Sequence, residues 1–175
     1  MDGEVVVSLV GHKAKNHPQQ IRRDAGPRDD VDDRRTRDDL WLPLHEEFKF
    51  TLDAAATDQN SKLPKFCKDG LVESWAGERV WCNPPYSNVR PWVEKALAEV
   101  LAPVIVMLLP ANRTEQGWWQ DFVEPIRDRP GSRLTTRFLR GRLRFDRPGW
   151  TKPAKGDRPP FGCVLLVWKE AVSSP

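Results

Sequence analysis

Four consecutive residues carry the chain's clearest chemistry: Asn83-Pro84-Pro85-Tyr86. The Asn side-chain oxygen accepts a hydrogen bond, and the Pro84 carbonyl offers a second acceptor. The two prolines fix their φ angles and remove two N–H donors, so the turn presents a stiff acceptor edge. Two acceptors converging on one planar amino group would hold both of its hydrogens. They would also favour a more tetrahedral nitrogen, whose lone pair could attack an electrophilic carbon in line. The Tyr86 ring offers a surface on which a nucleobase could stack. The target such a turn suits is the exocyclic amino group of adenine or cytosine, in a base flipped out of a duplex or already single-stranded. A proline-rich turn with no chemistry is the alternative, and four residues alone do not decide between them.

The flanking elements favour the chemical reading. Residues 79–82 (RVWC) predict a short strand ahead of the turn, and Ser87 or Asn88 is a candidate helix cap with Pro91 in the first turn. Trp92, Ala96 and Val100 would line one helical stripe, closed by Pro103. Residues 104–109 (VIVMLL) and 163–168 (CVLLVW) are continuously apolar, as expected of strands covered on both faces. A second helix is expected over about 115–123. Phe48, Phe50 and Leu52 alternate with polar residues, which predicts a strand running into Asp53. Residues 137–145 predict a further strand. This order implies an α/β fold with a mostly parallel sheet and helices on its faces. Ligands bind such sheets at the carboxyl ends of strands, where Asp53, Asn83 and Pro110 fall.

At 175 residues the chain allows one domain. Three cysteines without a C-x-x-C pair argue against a disulfide scaffold or a cysteine zinc site, and no metal site is expected. No run is long enough for a membrane span, and a reducing, cytoplasmic setting is expected. Residues 22–39 hold six Arg and seven Asp. Such a stretch buries too little surface to offset its ordering entropy, so 1–38 reads as a flexible segment, 39–170 as the folded domain and 171–175 as a tail. Residues 127–158 carry 11 Lys or Arg against three Asp, which fits either a polyanion-binding face or a solvated one.

Five stretches, in order, resemble the phage-type DNA N-6-adenine methyltransferases, a Dam-like family: FKFTLDAAATDQN, DGLVESWAGERVWCNPPY, VMLLPANRTEQGWW, FLRGRLRF and PPFGCVLLVW. The resemblance implies a Rossmann-like methyltransferase core, S-adenosylmethionine as methyl donor, DNA as partner, and a bacterial or phage-infected host cell. It makes Asn83, Pro84, Pro85 and Tyr86 the catalytic motif. Asp53, followed by Ala54 and Ala55, matches the acidic motif that opens the cofactor site. A helix cap on the next turn is the plain reading of Asp53 and is compatible with that role. Asp69 matches the acid that contacts the cofactor's adenine, and Asp-Gly as a simple turn is its alternative. Pro43 matches the proline of a Thr-Pro motif, with Leu42 standing where Thr is usual.

Only 30 residues separate Asp53 from Asn83, too few for the full set of strand–helix pairs, so the sheet is expected to be trimmed. Arg140, Arg142 and Arg144 would share one side of a strand and track phosphates, with Arg113 near the site or a phosphate. Cys82 reads as a core residue, and Trp118 and Trp119 as core and rim. Methylation of cytosine N4 or of RNA, and a DNA-binding protein on a degenerate version of the fold, remain as alternatives.

Overall fold

The structure, a computed structural model, describes residues 35–146 and 161–170. Strand β1 (Arg35–Thr36) leads into helix α1 (Asp38–Phe48). Strands β2 (Leu52–Asp53) and β3 (Arg79–Cys82) follow, then helix α2 (Arg90–Ala98) and strand β4 (Val104–Pro110). Helix α3 (Gly117–Phe122) precedes strands β5 (Leu134–Phe138), β6 (Phe145–Asp146) and β7 (Cys163–Lys169). The main sheet has the order β2-β3-β4-β7-β5. β2, β3 and β4 are mutually parallel, while β7 runs antiparallel to both β4 and β5. The mixed α/β architecture and the short sheet are as the sequence implied, with one antiparallel strand inside it.

Side-chain alternation sorts the core into two layers. Val104, Val106 and Leu108 of β4 face one way with Trp81, Cys163, Leu165 and Val167, against Trp41, Leu44 and Phe48 of α1. Ile105, Met107 and Leu109 face the other way with Val80, Cys82, Val164 and Leu166, against Val93 of α2 and Trp118 and Trp119 of α3. The period of two puts every second residue on one face. The sheet is therefore covered on both sides, which explains why β4 and β7 read as unbroken apolar runs.

Three expectations need correction. Residues before Leu52 are helical, not extended: Trp41, Leu44 and Phe48 form a buried i, i+3, i+7 stripe, and Asp38 and Asp39 in the first turn suit the helix dipole. The helix closes at Lys49, whose φ of 52° is left-handed, so Phe50 and Leu52 are all that remains of the alternation. Residues 137–145 do not make one strand. β5 ends at Phe138, Gly141 turns the chain with φ 76°, and Phe145–Asp146 pairs with Arg35–Thr36 in a separate two-stranded ribbon. Helix α2 starts after Val89 without a side-chain cap and stops at Ala98, leaving Val100 and Leu101 exposed and off the expected stripe. The charged stretch before residue 39 also enters the structure: Thr36 is buried, and Asp38 opens α1. Val5–Val10, a candidate short strand by its apolar run, and Trp150, a candidate base-stacking residue in a basic loop, lie outside the described residues.

Candidate active site

Because β2, β3 and β4 are parallel, Asp53, Asn83 and Pro110 come out along one edge of the sheet. Asp53 sits opposite Trp81, and the Ala54 N–H donates to the Trp81 carbonyl at 2.8 Å. The acidic strand end and the Asn-Pro turn thus lie on adjacent strands, with Asn83 two residues beyond the partner of Asp53.

Asp53 is 3% exposed. Its Oδ2 accepts the Lys62 backbone N–H at 2.9 Å, and the Ala55 N–H also donates to the carboxylate. Burial outweighs these donors and pushes the carboxyl up to about 6. The Lys62 ammonium is committed elsewhere, to Asp38 and over the Trp41 ring at 5.3 Å. Among the described residues no helix follows Asp53 before β3, so its carboxylate caps none; it closes the loop between Ala55 and Lys62 with backbone bonds instead. Ala54 is fully buried and Ala55 half-buried behind it.

Asp69 is brought to the same place by its neighbour. A Cβ on Gly70 would stand 1.8 Å from the Ala54 carbonyl oxygen and 2.9 Å from the Trp92 ring, so only glycine allows this approach. The Gly70 carbonyl also accepts the Trp75 indole N–H at 3.0 Å. Asp69 itself is exposed, and its Oδ1 accepts the Leu71 N–H at 3.2 Å, the turn geometry that Asp-Gly suggests. Asn60 folds the intervening loop by accepting the Thr57 N–H at 2.7 Å. Pro43 lies exposed inside α1, and among the described contacts none links it to this edge.

In the turn, Pro84 is buried while Asn83, Pro85 and Tyr86 are half-buried. Asn83 Oδ1 is shielded from solvent. The Tyr86 ring lies near-perpendicular to Phe145 (6.3 Å, 82°) and steeply inclined to Phe161 (6.1 Å, 61°). Its hydroxyl is buried beside the Cys163 thiol, and burial raises the phenol well above its usual range. Arg113, in the loop after β4, donates from Nη1 to the Tyr86 carbonyl at 2.6 Å. Cys82 points into the α2–α3 layer, fully buried, with its thiol held protonated by burial, so it is a core residue as expected. Trp118 and Trp119 are both buried in that layer.

Arg140, Arg142 and Arg144 are exposed, and none forms an ion pair among the described residues. They stand on the irregular stretch around Gly141 instead of along a strand face. Other members of the basic block are spent internally. Arg137 makes a two-pronged pair with Glu47, both bonds 2.8 Å. Arg133 donates to the Ala102 and Lys169 carbonyls, and Arg127 pairs with Glu124 and Asp128. Sequence reasoning missed Lys62, Phe145 and Phe161 as neighbours of the site. It treated Gly70 only as half of a turn, although an Asp-Gly ahead of a buried strand was its visible signal.

These positions define an α/β protein with an acidic strand end and a rigid polar turn side by side on the carboxyl edge of its sheet. The family model for DNA N-6-adenine-methyltransferase (Dam) matches residues 25–174, and the chain belongs to that family. It is 38% identical over 79 residues to the DNA N-6-adenine-methyltransferase of Haemophilus phage HP1, spanning 39% of this chain and 46% of that protein. It is likewise 38% identical over 89 residues to the DNA N-6-adenine-methyltransferase of Escherichia phage T1, spanning 43% of this chain and 37% of that protein. The matched stretch is thus less than half of either relative.

Proposed function

We propose that the protein transfers a methyl group from S-adenosylmethionine to the N6 amino group of adenine in DNA, on a trimmed Rossmann-like methyltransferase core. The observation that carries this reading is the adjacency of Asp53 and the Asn83–Tyr86 turn at the ends of paired parallel strands. The residues fit the donor. Asp53 is a buried carboxylate, and the Lys62 ammonium beside it is engaged by Asp38, so a ligand's ammonium would relieve its desolvation. Ala54 and Ala55 keep the side chains at this corner small, and the Asp69–Gly70 turn packs against the buried Ala54 backbone. When bound, S-adenosylmethionine supplies a methyl group already activated on a cationic sulfur. No general acid or base has to act first, and the protein's work is alignment.

In this reading the extruded adenine lies along Tyr86, whose ring Phe145 and Phe161 hold in place. Asn83 Oδ1 and the Pro84 carbonyl accept the two amino hydrogens and direct the nitrogen lone pair toward the donor. The prolines keep those acceptors fixed, so little reorganisation accompanies attack. Arg140, Arg142 and Arg144 supply exposed charge for DNA phosphates. The test is methyl transfer from labelled cofactor to DNA, followed by nucleoside analysis. Label is expected in N6-methyladenine and is expected to vanish in Asn83→Ala, with cofactor binding retained. Label in N4-methylcytosine would move the target to cytosine, and cofactor binding with no transfer to any nucleic acid would overturn the assignment.

A further inference from the structure

We propose that Arg113 is the positioning residue of the Asn83–Tyr86 turn, fixing the catalytic acceptors through the Tyr86 carbonyl. This rests on the reading of the turn as the catalytic motif. The turn continues directly from β3, and its Tyr86 ring packs against Phe145 and Phe161. Pro84 and Pro85 have no N–H to donate, and the nearest internal bond, from the Asn88 N–H to the Pro85 carbonyl, is long at 3.4 Å. Stiff φ angles fix the shape of the proline pair but not its placement on the sheet. A charge-assisted bond of 2.6 Å from Arg113 ties the far end of the turn to the loop after β4.

The loop carrying Arg113 is itself held at several points. The Ala111 N–H donates to the Gly162 carbonyl at 2.9 Å, anchoring the loop to the start of β7. The Arg113 carbonyl accepts the Gln116 N–H at 3.2 Å, and Gln120 Nε2 closes onto the Thr114 carbonyl at 2.7 Å. The Arg113 side chain is half-buried and makes no ion pair among the described residues. A residue placed for phosphate contact would turn its donors outward like Arg142. Arg113 instead turns one inward, to a backbone oxygen 27 residues away in sequence. β4 and β7 thus brace the turn that ends β3.

The test uses the full chain with Arg113→Ala and Arg113→Lys. Turnover is expected to fall at least tenfold in Arg113→Ala, with KM for cofactor and the salt dependence of DNA binding unchanged. Arg113→Lys, which keeps one charged donor, is expected to recover part of the loss. Independently, exchange of the Asn88 amide, which bonds the Pro85 carbonyl, should accelerate in Arg113→Ala while β4 amides stay protected. A salt slope lower by about one with turnover unchanged would make Arg113 a phosphate contact and overturn the proposal. Unchanged turnover together with unchanged exchange would overturn it as well. Should the wild-type chain transfer no methyl group, the catalytic reading fails, whereas the exchange measurement still decides whether Arg113 holds the turn.

Discussion

Replacing Asp53 with asparagine tests the cofactor site through its electrostatic cost. In the folded chain the carboxyl is pushed from 3.8 up to about 6, chiefly by burial. A group whose folded pKa exceeds its unfolded value stabilises the fold when protonated. That contribution is fully present below about pH 4 and is lost as pH rises through 6. That rise in pKa corresponds to ~3 kcal/mol carried against folding by the ionised form at pH 8. The amide of Asp53→Asn would carry no charge and no such cost. It would keep one acceptor oxygen for the Lys62 and Ala55 N–H groups but bury an NH2 donor in place of the other, at a cost of about 1–3 kcal/mol. The Asp53→Asn chain without cofactor is therefore expected to exceed wild type in stability at pH 8 by up to about 2 kcal/mol, a rise of at most roughly 8 °C in Tm. By pH 4 the advantage should have disappeared or reversed.

Cofactor binding should move the opposite way. Wild-type affinity for S-adenosylmethionine should climb between pH 5 and 7 as Asp53 ionises, whereas Asp53→Asn should bind weakly and without that slope. Urea unfolding and calorimetry at pH 4, 6 and 8 read both quantities. A stability difference independent of pH would refute the burial argument. Undiminished cofactor affinity in the variant would remove Asp53 from the binding site.

Other substitutions separate packing from surface charge. Gly70→Ala drives a methyl group into the Ala54 carbonyl, and a loss of about 3 kcal/mol or more is expected in urea unfolding, with cofactor binding impaired alongside. Arg142→Ala should lower the slope of log K against log salt for DNA by about 0.9, as one phosphate contact would. Arg137→Ala should leave that slope unchanged, since its guanidinium is already taken by Glu47, and should cost at most ~1 kcal/mol because the pair is exposed. The three cysteines are free and buried, with Cys67 and Cys163 each pushed up to about 11. Thiol reagents at pH 8 should therefore label the folded described region slowly and all three sites only after denaturation.

How far the sequence could be read followed from which physical signal each residue carried. β4 and β7 were legible because residues buried on both faces leave an unbroken apolar run. The turn after β3 was legible because two prolines cannot continue a strand. That Asp53 and Asn83 end on the same edge followed from parallel strands sharing a carboxyl edge. Helix α1 was hidden because Phe48 belongs to two patterns at once, the 41/44/48 stripe and the 48/50/52 alternation, and the tertiary stripe prevailed despite Pro43. The arginine series at 140, 142 and 144 looked like one strand face because alternation alone carries no sign of a turn, and Gly141 with positive φ is what breaks it. Arg113's bond to Tyr86 was invisible, since nothing local in sequence encodes a partner 27 residues distant.

The shortness of the sheet explains the unusual packing beside Asp53. β2 has two residues and is the edge strand, so its ladder to β3 is a weak anchor for a buried carboxylate. The 54–78 segment supplies the missing support without forming a strand of its own. Asp53 makes a bridge to Phe66, with its N–H donating to the Lys65 carbonyl and its carbonyl accepting the Cys67 N–H, both at 3.0 Å. Beyond that bridge the chain turns at Gly70 and presses backbone on backbone against Ala54. Loop 54–78 thus acts as the neighbouring strand would. It satisfies the edge hydrogen bonds of β2, excludes water from Asp53 and delivers Asp69 to the same corner. The elevated carboxyl pKa and the intolerance to any side chain at Gly70 then have one origin, so the two substitutions should be non-additive in cofactor binding while their effects on stability take opposite signs at pH 8.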